Sequence, residues 1–190
     1  MIAKLLCSLV IGLALLLSAP LHAAWQRVVN GSMVGKRMPP LPAALDPAGL
    51  SGSANVGAGS GTGNGARGAA SNGVVLVHFW APWCVACHEN VPELSRLQRE
   101  YGAQGLRVVG LAREPPADVS AFARRNPLVF PVGSDAGGAL FAGLGVHSLP
   151  YAVLVDRNGI IVWQGDPLAL DRGTLEATLA APALGALVRF

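Results

Sequence analysis

The chain is poor in charged residues and has no cluster of charge of one sign. Its 190 residues contain 14 Lys and Arg against 11 Asp and Glu, which gives a formal net charge of +3. Because the basic residues are scattered and form no run, the sequence predicts no nucleic-acid-binding surface. Sparse charge together with abundant apolar residues predicts a folded body rather than a disordered chain. The length suffices for one ordinary domain with a full core and additional segments.

Long hydrophobic runs are also scarce, and the N-terminal one is too short to cross a membrane comfortably. It extends over Leu5–Leu17, whereas a spanning helix needs about 20 apolar residues. Lys4 precedes this run, and small residues suited to cleavage follow it at 21–24. We therefore favour a cleaved signal peptide at residues 1–24 and export to the periplasm. An uncleaved anchor is the alternative, because no charge lies between Lys4 and Arg27.

Cysteine is rare, which limits what the thiols can do. Of the three cysteines, Cys7 lies in the apolar N-terminal run and is interpreted as a small apolar residue that is removed with it. Cys84 and Cys87 remain, and a loop this short constrains the unfolded chain very little. In an exported protein, two cysteines whose disulfide would add little stability, and whose spacing suits redox chemistry, are best interpreted as catalytic.

Residues 25–73 show little organisation. Met38–Pro42 is rich in proline and is predicted to be extended. The stretch 49–73 consists largely of Gly, Ser, Ala and Asn, which is typical of a flexible loop or linker. A phosphate-binding role for these glycines is not favoured, because the Gly-Lys-Ser/Thr ending of such loops is missing.

From Val74 onward, predicted strands and helices alternate, which indicates an α/β domain over residues 74–190 with a mixed sheet. Strands are predicted in the apolar run that begins at Val74 and at Leu106–Ala112, Leu128–Val132, Tyr151–Val155 and Ile160–Gln164. Helices are predicted at Glu93–Tyr101 and Pro116–Asn126, a short helix or loop at Asp135–Leu144, and a weaker terminal helix over Leu168–Leu187 that is interrupted near Pro182. The Asn158-Gly159 pair predicts a tight turn between the last two strands.

The stretch Val74–Pro92 carries the chemistry. A buried strand is followed by a turn rich in tryptophan, the two cysteines and a polar segment that can start a helix. If Cys84 opens this helix, backbone N–H groups and the helix dipole favour its thiolate. Cys87 then lies one turn later on the same face, within reach for a disulfide. We expect Cys84 to be the attacking thiolate and Cys87 the resolving thiol.

The same segment also matches Cys-x-x-Cys-His, the attachment signature of c-type haem. In that alternative His88 is an axial ligand, and a second ligand such as Met or His is required elsewhere. No methionine follows the motif, and the preceding buried strand with its tryptophans is not typical of a haem pocket. A haem-bearing electron-transfer protein is therefore the alternative from another functional class.

Two motifs in this order resemble the thioredoxin superfamily. The first is a strand followed by FWAxWCxxC and a later proline, and its residues here are Phe79, Trp80, Ala81, Trp83, Cys84, Cys87 and Pro92. The second is a proline before a strand and an "LxDxxGxI" hairpin, at Pro150 and 154–161. With its export segment, the chain resembles the extracytoplasmic TlpA/ResA/DsbE group. The resemblance implies a thioredoxin-like α/β fold with a central mixed β-sheet flanked by helices.

The resemblance also implies roles for residues outside the dithiol. Pro150 would be a cis-proline facing the dithiol, and Leu149 would offer its backbone to a substrate peptide, with Trp83 shaping the docking groove. His78 stands where thioredoxin has a buried acid that exchanges a proton with the second cysteine. It is therefore interpreted either as a proton relay to Cys87 or as a core histidine bonded to backbone.

As a whole, the sequence predicts a thiol–disulfide oxidoreductase that needs no cofactor or metal. Expected partners are proteins with disulfides or thiols and a membrane-bound thiol donor; the chain itself contacts the membrane only if its N-terminal segment is uncleaved. Because Val85 and Ala86 carry no charge, a reductase is favoured over a net oxidant. A binding module with a dormant dithiol is the third alternative. Asn90 and Tyr151 depart from the residues usual in the group.

Overall fold

The computed structural model describes residues 31–42, 45, 73–126 and 128–183. The predicted signal peptide at 1–24 and the glycine-rich residues 49–72 lie outside the described residues. Among the residues that are described, no helix is long and apolar enough to span a bilayer.

Five strands and five α-helices are present among the described residues. The strands are β1 (Val74–Trp80), β2 (Leu106–Ala112), β3 (Val132–Ser134), β4 (Tyr151–Val155) and β5 (Ile161–Gly165). The helices are α1 (Val85–Glu89), α2 (Val91–Tyr101), α3 (Pro116–Arg125), α4 (Ala139–Gly143) and α5 (Arg172–Ala180), with short 3₁₀ turns at Gly102–Gln104 and Pro167–Ala169.

One sheet with the strand order β3-β2-β1-β4-β5 contains all five strands. β1 runs parallel to β2 and antiparallel to β4; β2 and β3 are parallel, and β4 and β5 antiparallel. The predicted α/β fold with a mixed sheet flanked by helices is thus confirmed.

β1 is the central strand and is buried on both faces. Its odd-numbered residues, such as Phe79, pack in a core with α4 and the N-terminal segment. Its even-numbered residues face α2, α3 and α5, since Leu76 packs with α2 and Trp80 with α3. Because side chains alternate along a strand, His78 lies on the same face as Trp80.

The third strand was predicted too early in the chain. A strand was expected at Leu128–Val132, but β3 begins at Val132. Pro131 has no N–H to donate to a sheet ladder, although its carbonyl accepts a hydrogen bond from the N–H of Gly110 at 2.9 Å. The apolar residues before it serve the core instead, because Phe130 is buried against the cluster around α2 and α5.

The short helix expected within Asp135–Leu144 is present, and the terminal helix begins later than expected and ends just before Pro182, where an interruption is predicted. In the segment Asp135–Leu144, only α4 is helical, and the Asp135 carboxylate accepts hydrogen bonds from the N–H groups of Leu140 and Phe141 at 2.9 and 3.1 Å. The C-terminal helix, expected over Leu168–Leu187, is α5, which Asp171 caps. Residues 184–190 lie outside the described residues.

The described part of the N-terminal segment is ordered against the sheet, although the sequence predicted a loose stretch. The N–H of Gly35 donates to the carbonyl of Ile161 at 2.8 Å, and the N–H of Met38 donates to that of Gly159 at 2.8 Å. Four apolar residues of this segment are buried in the core beside α4, namely Met33, Met38, Leu41 and Leu45. Met38, Leu41 and Leu45 recur at helical spacing, but the prolines at 39, 40 and 42 rule out a regular helix, so periodicity does not reveal how these residues pack.

Candidate active site

The two cysteines lie where β1 ends and α1 begins. Cys84 is the N-cap of α1 with extended backbone angles, and its sulfur accepts a hydrogen bond from the N–H of Cys87 at 3.2 Å. The two sulfurs form a disulfide, with Cα atoms 5.2 Å apart. The expected placement of Cys84 at a helix start, with Cys87 one turn later, is therefore confirmed.

A break in the helix follows the dithiol. α1 ends at Glu89, Asn90 caps it, and α2 begins at Val91. Pro92 lies in the first turn of α2, where its missing N–H costs nothing, whereas it could not continue the hydrogen bonds of α1. Asn90 is buried, and its side-chain nitrogen has no hydrogen-bond partner among the described residues.

The sulfurs differ in burial. Cys84 keeps 7% of its surface exposed and Cys87 only 1%. Both pack in a cluster that includes Trp80 and Phe122, and Leu149 packs against the same cluster. Cys84 is thus the cysteine that a partner can reach first.

The segment before β4 supplies the second part of the site. The Leu149–Pro150 peptide bond is cis, as the resemblance implied. Because Leu149 packs against the cysteine cluster, the fold brings this loop beside the disulfide although 65 residues separate Leu149 from Cys84. Tyr151, which follows the cis bond, points into the core with no exposed surface, and burial raises the pKa of its hydroxyl to about 12.

A groove of about 200 Å³ runs between the cysteine turn and the cis-proline loop. Its lining is mostly apolar with a charged end, and consists of Trp80, Ala81, Trp83, Arg113, Glu114, Phe141, Val146, His147 and Leu149. Trp83 has 71% of its surface exposed. Its indole N–H donates to the Glu114 carboxylate at 2.8 Å, which fixes the ring at the rim of the groove.

Arg113 and Glu114 were missed from the sequence. The Arg113 guanidinium lies 4.7 Å from the centre of the Phe141 ring, and the Ser134 hydroxyl donates to the backbone carbonyl of Glu114 at 2.5 Å. A signal was present, since both residues follow directly on β2 and the carboxyl ends of parallel strands share one edge of a sheet. Residues that follow the strand Leu106–Ala112 are therefore expected to lie near Cys84, which follows the parallel strand β1.

His78 is buried beneath this site. It keeps 2% of its surface exposed, and its Nε2 atom has no hydrogen-bond partner among the described residues. Burial, and secondly the positive charge of His88 when protonated, lower the pKa of His78 to about 3. The imidazole is therefore neutral at the pH of any ordinary cellular compartment.

The geometry around His88 does not favour the haem alternative. Thioether attachment requires both cysteine sulfurs, and these form a disulfide with each other. The His88 ring lies against Phe122 with ring centres 5.0 Å apart, and its Nε2 atom, the usual ligand to iron, is buried. Within the described residues, no three His, Cys, Asp or Glu side chains are grouped so that they could hold a metal ion.

Known proteins share this sequence pattern over part of their length. Thiol-disulfide oxidoreductase ResA of Bacillus thuringiensis subsp. konkukian (strain 97-27) is 33% identical over 89 residues, which are 46% of this chain and 51% of that protein. Thioredoxin-like protein YneN of Bacillus subtilis (strain 168) is 37% identical over 91 residues, 46% of this chain and 52% of that protein. The chain thus spans about half the length of the curated relatives it matches.

Solved structures share the fold. A candidate thiol:disulfide interchange protein DsbE from Chlorobium tepidum superposes with a TM-score of 0.54 and 30% identity, over 58% of this chain and 83% of that one. A thioredoxin family protein from Chlorobium tepidum TLS gives 0.50 at 21% identity, over 58% and 83%, which bears on the fold alone. The expected thioredoxin-like fold is confirmed. The resemblance to ResA and DsbE is also confirmed. The sequence profile of the AhpC/TSA family matches residues 60–164, which are more than half of the 190 residues. The chain therefore belongs to this family of thioredoxin-like proteins.

Proposed function

We propose that the protein is a thiol–disulfide oxidoreductase that reduces disulfides in other proteins. The observation that carries this proposal is the Cys84–Cys87 disulfide at a helix N-cap, beside a cis-proline loop and an open groove. The names of the ResA relatives support the same chemistry. A disulfide that closes so short a loop adds little stability, so a structural role does not account for the two cysteines.

The first step is attack by Cys84 on a substrate disulfide. In the reduced protein, the N–H of Cys87 that now points at the Cys84 sulfur would stabilise the thiolate. The Cys84 thiolate forms a bond to one substrate sulfur, and the other substrate sulfur leaves with the electron pair. The product is a mixed disulfide between the substrate and Cys84.

The second step releases the substrate. Cys87 loses its proton and attacks the Cys84 sulfur, which restores the disulfide and sends a second electron pair to the substrate thiol. Both substrate sulfurs are then reduced and the two cysteines are oxidised. A relay of the Cys87 proton through His78 is part of this proposal, and it requires transfer to an imidazole whose pKa burial lowers to about 3.

Substrate would dock in the groove. An extended peptide can lie along the backbone of Leu149 beside cis-Pro150, where it places its disulfide over Cys84. Trp83 offers a large exposed ring held in place by Glu114. A fixed aromatic surface binds with little loss of side-chain entropy, which favours contact with an apolar side chain of the substrate.

The direction of electron flow follows from how strongly the thiolate is stabilised. Val85 and Ala86, which separate the cysteines, are exposed and uncharged. With no charge between the cysteines, the reduced form gains little stabilisation, which favours a reducing pair over an oxidising one. A membrane-bound thiol protein would then return electrons to the pair, in the periplasm.

The redox potential tests this proposal. The pair is equilibrated with glutathione buffers and the reduced fraction is measured; we expect a potential nearer to thioredoxin, about −270 mV, than to DsbA, about −120 mV. A value above about −150 mV would show a net oxidant. In parallel, Cys84→Ser should abolish reduction of insulin, whereas Cys87→Ser should accumulate a mixed disulfide with it. Reduction of insulin by Cys84→Ser would contradict the assigned order of attack.

A further inference from the structure

Arg113 brings a positive charge to the substrate groove. It follows β2 directly, and Ala112, the last residue of β2, pairs in register with Trp80 at the end of β1. Arg113 and Trp80 both line the groove. The carboxyl ends of these two parallel strands therefore put Arg113 at the same edge of the sheet as the cysteine turn. Because arginine stays protonated at any pH at which thiols react, this charge is permanent.

The guanidinium is held by contacts from α4 and from the loop that follows α4. It lies 4.7 Å from the centre of the Phe141 ring, and Phe141 is itself buried edge-on against Phe79 with ring centres 5.0 Å apart. One of its N–H groups donates to the backbone carbonyl of Val146 at 3.4 Å. A guanidinium has five N–H donors in a planar fork, so donors remain for a ligand. The contacts also reduce the side-chain entropy that Arg113 loses when it binds one.

Within the part of the chain that the structure describes, no carboxylate forms an ion pair with Arg113. The ion pairs there are made by Arg96 and Arg172 with glutamates of α2. Glu114 also lines the groove, but its Oε1 atom accepts the indole N–H of Trp83 at 2.8 Å. Its Oε2 atom is buried, without a hydrogen-bond partner among the described residues. A ligand that enters the groove therefore meets an accessible cation beside a carboxylate whose oxygens are engaged or covered.

We propose that Arg113 selects substrates that carry a carboxylate side chain close to the reactive disulfide, and that it is a specificity-determining residue of this enzyme. The inference rests on the proposed function and names a substrate class for it: proteins in which Asp or Glu flanks the disulfide to be reduced. A guanidinium and a carboxylate match in one plane through two parallel hydrogen bonds, which neither a lysine nor an amide reproduces. Leu149 lines the same groove, so a peptide that docks beside it brings its side chains to Arg113.

Docking strengthens this interaction because it covers the charges. Arg113 is exposed in the free protein, and an ion pair in full contact with water changes an equilibrium by at most about fivefold. The groove walls include the apolar side chains of Trp80, Phe141 and Leu149. A peptide that fills the groove excludes water from between these walls, and Coulomb attraction increases as the surrounding dielectric constant falls. The preference for a carboxylate should therefore reach or exceed that of an exposed pair.

The test compares disulfide peptides that differ in one side chain. Each contains a single Cys-x-x-Cys disulfide and carries Glu, Gln or Lys in turn at the two positions on either side of it, with both termini blocked so that Glu supplies the only carboxylate. Pre-reduced protein is mixed with each peptide, the reaction is quenched with acid, and the reduced peptide is quantified by chromatography. Each rate is divided by the rate with dithiothreitol, which corrects for the effect of the charge on the disulfide itself.

Wild-type protein should reduce the Glu peptide about fivefold faster than the Gln peptide, or more, at one of these positions at least. The Lys peptide should react no faster than the Gln peptide. Equal corrected rates for Glu and Gln at every position, or a faster rate for Lys, would overturn the inference. Wild-type protein that reduces none of the peptides would instead overturn the proposed function.

Three variants assign the preference to Arg113. Arg113→Gln should reduce the Glu and Gln peptides at equal corrected rates, and Arg113→Lys, which keeps the charge but loses the planar fork, should retain part of the preference. Arg124→Gln removes an exposed positive charge of α3 outside the groove lining and should keep the full preference. Because each preference is a ratio measured on one protein sample, a smaller amount of folded variant does not change it. A wild-type preference in Arg113→Gln would show that another group selects the substrate and would also overturn the inference.

Discussion

Burial of His78 makes the stability of the fold depend on pH in a defined window. The pKa of this imidazole is about 3 in the folded protein and 6.5 when exposed in the unfolded chain. As pH falls, the unfolded chain therefore takes up a proton that the folded protein refuses, and acid favours unfolding. The loss of stability begins near the unfolded pKa and stops growing near the folded one.

The size of the effect between pH 7 and pH 5 can be worked out with few assumptions. In this interval the folded protein stays unprotonated at His78, whereas the unfolded chain gains most of one proton. Integrating the linkage relation from pH 7 to pH 5 gives about 2 kcal/mol of lost unfolding free energy from this residue alone. The figure depends on the unfolded pKa and hardly changes for any folded pKa well below 5.

Urea denaturation of oxidised protein at pH 7, 6 and 5 measures this contribution. Wild type should lose about 2 kcal/mol more than His78→Asn between pH 7 and pH 5, because all other titrating groups are common to both. Asparagine preserves a polar side chain at the site but does not take up a proton. Equal losses in the two proteins would refute the reasoning and would mean that His78 is accessible to protons in the folded state.

Two further predictions concern packing and hydrogen bonding near the site. Gly110→Ala should destabilise the fold by about 1–3 kcal/mol, because the added methyl group would be too close to Trp80. Gly137→Ala is the control and should be close to neutral, because a Cβ there meets nothing within 4 Å. Thermal unfolding compares the two variants, and equal melting temperatures would contradict the crowding at Gly110. Asp156→Ala should lower the free energy of unfolding by about 1–3 kcal/mol, because the carboxylate accepts hydrogen bonds from two backbone N–H groups of the β4–β5 turn, each at 2.8 Å. An unchanged urea midpoint would show that water satisfies these N–H groups equally well.

The elements that could be predicted best from the sequence are those whose residue pattern matches their environment in the folded domain. β1 is apolar throughout and buried throughout, so its pattern and its environment coincide. The dithiol could be expected at a helix start because a polar segment follows the buried strand and the tryptophan-rich turn, and the resemblance to thioredoxins implies the same placement. The cis bond before Pro150 was inferred from a resemblance, since nothing in local sequence distinguishes it from a trans bond.

The parts that were not predicted depend on contacts between distant segments. Arg113 and Glu114 become site residues only when β2 pairs with β1, and Met33 becomes a core residue only when the N-terminal segment lies on the sheet. The third strand was misplaced because apolar residues such as Phe130 can serve the core without serving a strand. Hydrophobic periodicity indicates which face of a segment is buried. It does not identify a segment distant in sequence that packs on that face.

The hydrogen bonds between the N-terminal segment and the turn into β5 have a consequence for recognition. An exposed edge strand is a template on which any extended chain can add itself, including another copy of the protein. Here the backbone groups of Gly159 and Ile161 are already satisfied by Met38, Gly35 and Lys36. This part of the sheet edge is therefore closed to strand addition by another chain. The substrate peptide proposed to lie beside the cis-proline would have no competing docking position at Gly159–Ile161.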